Sequence, residues 1–358
     1  MFDVVLTLLA RRHGVGRSLG PALIAKCQMP LFDKFDRDIH DLRISITDRC
    51  NYRCVYCRTG TNGAAYAELP FDDYLRMARI LVSLGITKIR LTGGEPLLRK
   101  GIIQFVRGLS NLRTIHGKKP EIALTTNGHL LAEIVEPLKD AGLDRVTVSM
   151  DAVDPDRFAR ITRVPNGFDS VLAGVRAAHR AGLNPVKVNC VLLRGFNEDQ
   201  IIPFGMFARE EGVVVRFIEF MPLEEGRLWT PQMVVPLREI VDRISRVLPL
   251  VELTPRDASE TARRYGFADA RGEIGIIAPV TQAFCGACSR VRLTSDGKIR
   301  TCLFSQSEHD LYGRLRAGAS DEELRAYIHG VVQQKEARHH IGEPGFLKPS
   351  RSMVHIGG

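Results

Sequence analysis

Leu42-Arg-Ile-Ser-Ile-Thr-Asp-Arg-Cys50-Asn-Tyr-Arg-Cys54-Val-Tyr-Cys57 is the stretch from which the fold can be read. Its apolar residues alternate with polar ones over Leu42–Ile46, the period of a strand with one buried face. Cys50, Cys54 and Cys57 then follow in one loop with the spacing C-x3-C-x2-C. Three thiolates can hold three corners of a 4Fe-4S cube and leave the fourth iron open to a small molecule, whereas an electron-transfer cluster usually takes four. A structural zinc site is the competing reading, but zinc prefers four protein ligands and C-x2-C pairs.

Downstream the chain settles into a regular alternation. Phe71–Leu84 reads as a helix with Leu75, Ala78, Leu81 and Val82 on one face and Gly85 as its stop. Strand patterns at Lys88–Thr92, Ile122–Thr126, Arg145–Ser149, Val186–Leu193 and Val213–Ile218 alternate with helix patterns at 101–112, 130–141, 169–181 and 198–211. This rhythm predicts parallel βαβ units. The expected fold class is α/β, a partial (βα)6 parallel barrel, with an open doubly wound sheet as the alternative. After Phe220 the rhythm changes. Leu237–Val247 and Asp321–Glu336 read as helices, and residues 250–305 as irregular and β-rich, with a hairpin of Val291–Thr294 and Lys298–Cys302 turning at Ser295-Asp296-Gly297. The expected division is an N-terminal extension over 1–30, read as disordered, a barrel over 31–225, and an α+β region over 226–358 carrying a second cluster.

The composition bounds what such a chain can be. It has 358 residues, 44% apolar and 25% charged, as in an ordinary globular protein. No stretch approaches the roughly 20 apolar residues that span a bilayer, so no membrane role is expected. The run Val4–Ala10 is short, and Arg11 and Arg12 follow it rather than precede it, unlike a secretory signal. Six of the eight cysteines fall in two tight groups, while Cys27 and Cys190 stand alone. Grouped cysteines without a secretory signal read as metal ligands in a reducing cytosol. The formal charge is +9; residues 1–30 hold Arg11, Arg12, Arg17 and Lys26 against Asp3, which leaves +6 for the body. That surplus suits a polyanionic ligand without calling for nucleic acid.

The second group, Cys285-Gly-Ala-Cys288 with Cys302, again offers three thiols, and the hairpin turns Cys302 back towards the other two. A zinc site completed by a histidine such as His309 is the rival reading. Arg290 and Arg292 follow on a strand, where alternation puts both side chains on one face. Two guanidiniums side by side repel unless an anion lies between them, and arginine suits bidentate phosphate contact.

The Cys50–Cys57 loop resembles that of the radical S-adenosylmethionine (SAM) superfamily, and Thr92-Gly93-Gly94-Glu95-Pro96 resembles its Gly-Gly-Glu-Pro element. In that family the open iron chelates SAM, and an electron from the cluster cleaves it to a 5′-deoxyadenosyl radical. Residues 31–358 further resemble the GTP 3′,8-cyclases of molybdenum-cofactor biosynthesis. The resemblance rests on the quoted stretch, Lys88-Ile-Arg90-Leu-Thr-Gly-Gly-Glu-Pro96, Leu124-Thr-Thr-Asn-Gly128 and Val148-Ser-Met-Asp151. Val186-Lys-Val-Asn189, Arg216-Phe-Ile-Glu-Phe-Met221, Phe284-Cys-Gly-Ala-Cys-Ser-Arg-Val-Arg292 and Ile356-Gly-Gly358 complete it.

The resemblance implies two 4Fe-4S clusters, on Cys50, Cys54 and Cys57 and on Cys285, Cys288 and Cys302. It implies SAM near Tyr56, Gly94, Glu95, Ser149 and Met221. It implies GTP on Arg43, Lys88, Arg90, Thr125, Lys187, Arg290 and Arg292, with Arg216, Gly357 and Gly358 serving catalysis. The reaction it implies removes H3′ of the ribose and joins C3′ to C8 of the base. A homodimer, an electron donor of unknown identity and a downstream cyclic pyranopterin monophosphate synthase are the implied partners. GTP itself does not follow from the residues alone, since no G-x4-G-K-[ST] phosphate loop is present. Arg58-Thr59, where many relatives have Met-Pro, and Ser289, where Asn or Thr is common, depart from the family pattern without removing a ligand. A peptide- or tetrapyrrole-modifying radical SAM enzyme and a non-catalytic metal protein remain as rival readings.

Overall fold

Six strands pair side by side in the order in which the chain makes them. In the computed structural model, which describes residues 30–57, 66, 68–226 and 228–357, β1 (Asp41–Ser45) leads through α1 (Phe71–Ser83) to β2 (Lys88–Thr92). α2 (Ile102–Ser110), β3 (Glu121–Thr126), α3 (Leu131–Asp140) and β4 (Arg145–Ser149) continue the alternation. α4 (Pro155–Thr162), α5 (Phe168–Arg180), β5 (Lys187–Leu192), α6 (Ile201–Glu210) and β6 (Val214–Glu219) complete it. All neighbouring pairs from β1 to β6 are parallel. The order never reverses, so each right-handed crossover advances the same way and carries its helix to the same side. A doubly wound sheet needs a reversal in strand order. The architecture is therefore the partial barrel.

The side-chain period of two then sorts the strand residues. In β1, β2, β5 and β6 every second residue is fully buried, and these are the apolar ones that pack with the helices: Leu42 and Ile44, Ile89 and Leu91, Val188 and Cys190, Val215 and Phe217. The alternate residues point to the barrel interior and are largely polar. α1 buries Tyr74, Met77, Ala78, Leu81 and Val82, the spacing of one helix face.

The residues after 225 add to both edges of the same sheet. α7 (Leu237–Ser245) precedes β7 (Leu250–Leu253), β8 (Arg263–Phe267) and β9 (Glu273–Ile277). β9 pairs parallel to β6, and β8 and β7 extend it antiparallel. β10 (Arg290–Leu293) pairs parallel to β1 on the opposite edge, followed by β11 (Lys298–Arg300) and β12 (His309–Asp310). α8 (Leu311–Arg316), α9 (Asp321–Val332) and the short α10 (Met353–Ile356) follow. The resulting twelve-stranded sheet brackets the barrel interior between two C-terminal hairpins. Among the described residues no helix is long and apolar enough to cross a membrane. The expected disordered extension falls outside the described residues except for Pro30.

Candidate active site

A cavity of about 450 Å³ runs through the barrel interior, and all six grouped cysteines line it. Cys50, Cys54 and Cys57 enter from the loop after β1. That loop is hydrogen-bonded to the end of α4, with Arg53 N donating to Thr162 O at 3.1 Å and Val55 N to Ile161 O at 3.0 Å. Arg53 Nη1 also donates to Cys50 O at 2.7 Å. Gly94 N and Glu95 N, beyond β2, donate to Thr47 O at 2.8 Å and Arg49 O at 2.7 Å. A Cβ on Gly94 would lie 2.2 Å from Arg49 O, so this glycine is needed for the β2 turn to lie against the cysteine loop. Burial, then Asp151 and the other two thiols, push the Cys54 thiol well up. Such a thiol becomes a thiolate only beside compensating positive charge, which bound iron supplies.

The second trio faces the first across the cavity. Cys285 and Cys288 lie in a tight turn before β10. Cys302 follows β11, whose antiparallel register sets Arg292 opposite Arg300 and so returns the chain towards Cys288. Arg37 braces this end, donating to Cys285 O at 2.9 Å, Ala337 O at 2.9 Å and Glu336 O at 2.6 Å. Burial raises the Cys288 thiol, but Arg290 and Lys335 outweigh it and bring it down to about 6. Here the thiolate is ready for a metal. His309 pairs in β12 and does not line the cavity.

Between the two trios the strand register builds a cationic row. Arg43 of β1 is the Cα partner of Arg292 in β10 on one side and of Arg90 in β2 on the other. Adjacent strands lie about 4.8 Å apart, and like charges directly opposite are destabilising. Burial and then Arg292 hold the Arg43 guanidinium well below its usual range, and its buried Nε has no hydrogen-bond partner. Burial and then Arg290 bring Arg292 down to about 10. Across the barrel, burial and then Arg216 bring Lys187 down to about 7, and burial and then Arg90 bring Arg216 down to about 9. Lys88, Thr125 and Arg290 line the same cavity, as do Tyr56, Ser149 and Met221 towards the first trio. An interior this rich in desolvated cations is built for a multiply charged anion.

Some expected residues lie elsewhere. Glu95 is fully buried and does not line the cavity; its carboxylate accepts from Leu97 N at 2.9 Å, Thr126 Oγ1 at 2.8 Å and Asn127 N at 2.6 Å. Gly357 does not line it either. Its carbonyl accepts from Arg292 Nη1, and a Cβ there would lie 2.7 Å from Thr92 Cγ2. Gly358 lies outside the described residues. Sequence reasoning did not single out Arg145, Asp257, Glu260 or Lys335, all in the cavity wall. Arg145 opens β4, four residues before the strand end at Ser149 where such reasoning looks, and the loop carrying Asp257 and Glu260 has no motif.

Comparison with known proteins settles the family. Residues 44–207 match the radical SAM superfamily and residues 213–341 match Molybdenum Cofactor Synthesis C. The GTP 3′,8-cyclase of Moorella thermoacetica is 44% identical over 91% of this chain and 99% of its own length. The chain belongs to the GTP 3′,8-cyclase family. The Corynebacterium glutamicum (strain ATCC 13032) member is 43% identical over 97% of this chain and 96% of its own length. The mitochondrial GTP 3′,8-cyclase of Arabidopsis thaliana is 40% identical over 92% and 83%. Among solved structures, Streptococcus suis SuiB bound to S-adenosylmethionine superposes with a TM-score of 0.60 at 15% identity, over 87% of this chain and 70% of that one, a likeness of fold.

Proposed function

We propose that this chain is a radical SAM lyase that cyclises GTP to (8S)-3′,8-cyclo-7,8-dihydroguanosine 5′-triphosphate, an early step of molybdenum-cofactor biosynthesis. The observation that carries the reading is the cationic row Arg292–Arg43–Arg90 between two cysteine trios on one cavity. Cys50, Cys54 and Cys57 would hold the cluster that binds SAM, and Cys285, Cys288 and Cys302 the cluster that meets the base. SAM bound there would supply a 5′-deoxyadenosyl radical able to take a hydrogen atom from carbon.

The remaining work belongs to the side chains. Arg43, Arg90, Arg290 and Arg292, with Lys88 and Lys187, would neutralise the triphosphate and stretch the nucleotide between the two ends of the cavity. Thr125, on the same inner face, would orient the ribose. Arg216, in the cavity wall, donates from Nε to Asn189 Oδ1 at 2.9 Å, which holds its guanidinium in place. There it can face the base once C3′ has bonded to C8. Tyr56, Gly94, Ser149 and Met221 would surround SAM. Gly357 would hold Arg292 in place from the far side. The barrel of 31–225 thus serves SAM, and 226–358 serves the second cluster and the base.

We further propose a cytoplasmic homodimer, fed by an electron donor of unknown identity and followed by a cyclic pyranopterin monophosphate synthase that consumes the product. The test is anaerobic incubation of the reconstituted protein with SAM, reductant and each of the common nucleoside triphosphates. Product and 5′-deoxyadenosine should form with GTP. Equal turnover with ATP, or none with GTP, would overturn the reading.

A further inference from the structure

Asp151 lies in the cavity wall just beyond β4 and is almost wholly buried. Its Oδ2 accepts from Tyr56 Oη at 2.7 Å, and its Oδ1 accepts from Val191 N at 2.8 Å. Its backbone carbonyl accepts from Asn197 Nδ2 at 2.8 Å, and the same amide donates to Val191 O at 2.9 Å. Asn197, with no exposed surface, also accepts from Leu193 N through Oδ1 at 2.8 Å. One buried chain of hydrogen bonds therefore runs from Tyr56, next to Cys57, to the ends of β4 and β5. The Tyr56 ring meets Phe220 edge-on with centroids 6.4 Å apart, so the ring is held as well as the hydroxyl.

Neither of the carboxylate's hydrogen-bond donors is a cation. Each of its two oxygens accepts one hydrogen bond from a neutral donor. What Asp151 supplies is geometry.

We propose that Asp151 is a positioning residue for SAM, acting through Tyr56 to hold the Cys54–Cys57 turn against the wall that carries Ser149 and Met221. The inference rests on the reading that this end of the cavity binds SAM. An asparagine at 151 can keep both bonds, accepting from Val191 N and donating to the tyrosine hydroxyl, while alanine keeps neither.

The test uses the anaerobically reconstituted holoenzyme and three readouts: iron content, SAM affinity by calorimetry, and the electron paramagnetic resonance spectrum of the reduced first cluster with and without SAM. Asp151→Asn should bind SAM within about twofold of wild type and keep its SAM-induced spectral change. Asp151→Ala and Tyr56→Phe should each bind about tenfold more weakly with full iron content, the loss of one well-made buried bond. The double variant should be no weaker than Asp151→Ala. Wild-type affinity in Asp151→Ala would overturn the proposal. So would an asparagine variant as weak as alanine, which assigns the role to charge, or loss of iron in the alanine variant, which makes the residue a scaffold for the cluster. Wild-type protein that binds no SAM would overturn the underlying reading instead.

Discussion

Lys187 shows how one side chain reports on what fills the cavity. Its pKa is lowered to about 7 by burial first and by Arg216, Arg145 and Arg90 after it. Above that pH the empty site holds a neutral amine. A bound phosphate favours the ammonium and raises the pKa again. GTP affinity should therefore fall as pH rises from about 7.5 to about 9, and binding should take up a proton, visible by calorimetry in buffers of different ionisation enthalpy. Lys187→Met should abolish the proton uptake; unchanged uptake would assign it to another group. The sign for stability is opposite. The folded pKa lies below the unfolded one, so the unfolded chain binds the extra proton, and the fold gains stability as pH rises from about 7 towards the ordinary lysine range. Arg290→Ala and Arg292→Ala should each weaken GTP binding by about 1.5–3 kcal/mol, the worth of a charge-assisted bond, with both clusters loaded. Normal titrations would move the phosphates towards Lys88 and Lys187. The cysteine spacing and the arginine pair could be read from sequence because both are local. The fates of Glu95 and Glu219 could not. Each looks like a strand-end carboxylate. Glu219, however, accepts from Leu237 N at 3.2 Å and from Val280 N and Thr281 N at 2.9 Å, and so ties three segments together. Only the fold brings those donors near.

At the scale of elements, the segment around α10 is held at several points: Arg351 pairs with Asp296 at 2.8 Å and Glu308 at 2.6 Å, and Met353 N donates to Leu223 O at 2.9 Å. Gly357 then sits at a φ of 71°, wedged against Thr92 and Ser45. A methyl group there meets both the left-handed backbone and the Thr92 side chain. Gly357→Ala should lower formation of the cyclised nucleotide about tenfold or more while leaving iron content intact, since one strained contact costs roughly 1–3 kcal/mol. Removing Gly357 and Gly358 should do at least as much. Normal product yield from either variant would make the segment a bystander. β2 and β4 have the bounds read from their alternation. α4 was missed, although Asp154 caps it by accepting from Arg157 N and Pro155 opens it. It is two turns long and lies in what looked like a connection. The pairing of β10 with β1 and of β9 with β6 was not legible, because no local pattern names a partner some 60 to 250 residues away.

Among the described residues the strands form one sheet that gathers two cysteine trios from distant parts of the chain onto one cavity. The barrel could be anticipated from its period; the bracketing of its interior by both C-terminal hairpins could not. Two cubes predict about eight irons per chain. Cys302→Ala should lose about half of them and still cleave SAM, without cyclised product, whereas Cys54→Ala should abolish SAM cleavage. Iron counts that do not divide in this way would break the assignment of two separate clusters. The most direct test of the account is isotopic. Anaerobic reaction with GTP deuterated at C3′ should place the deuterium in 5′-deoxyadenosine and yield a cyclised nucleotide that has lost it. Deuterium retained in the nucleotide, with unlabelled 5′-deoxyadenosine formed at the same rate whether or not GTP is present, would contradict the claim that this cavity sets the C3′ hydrogen of GTP against SAM.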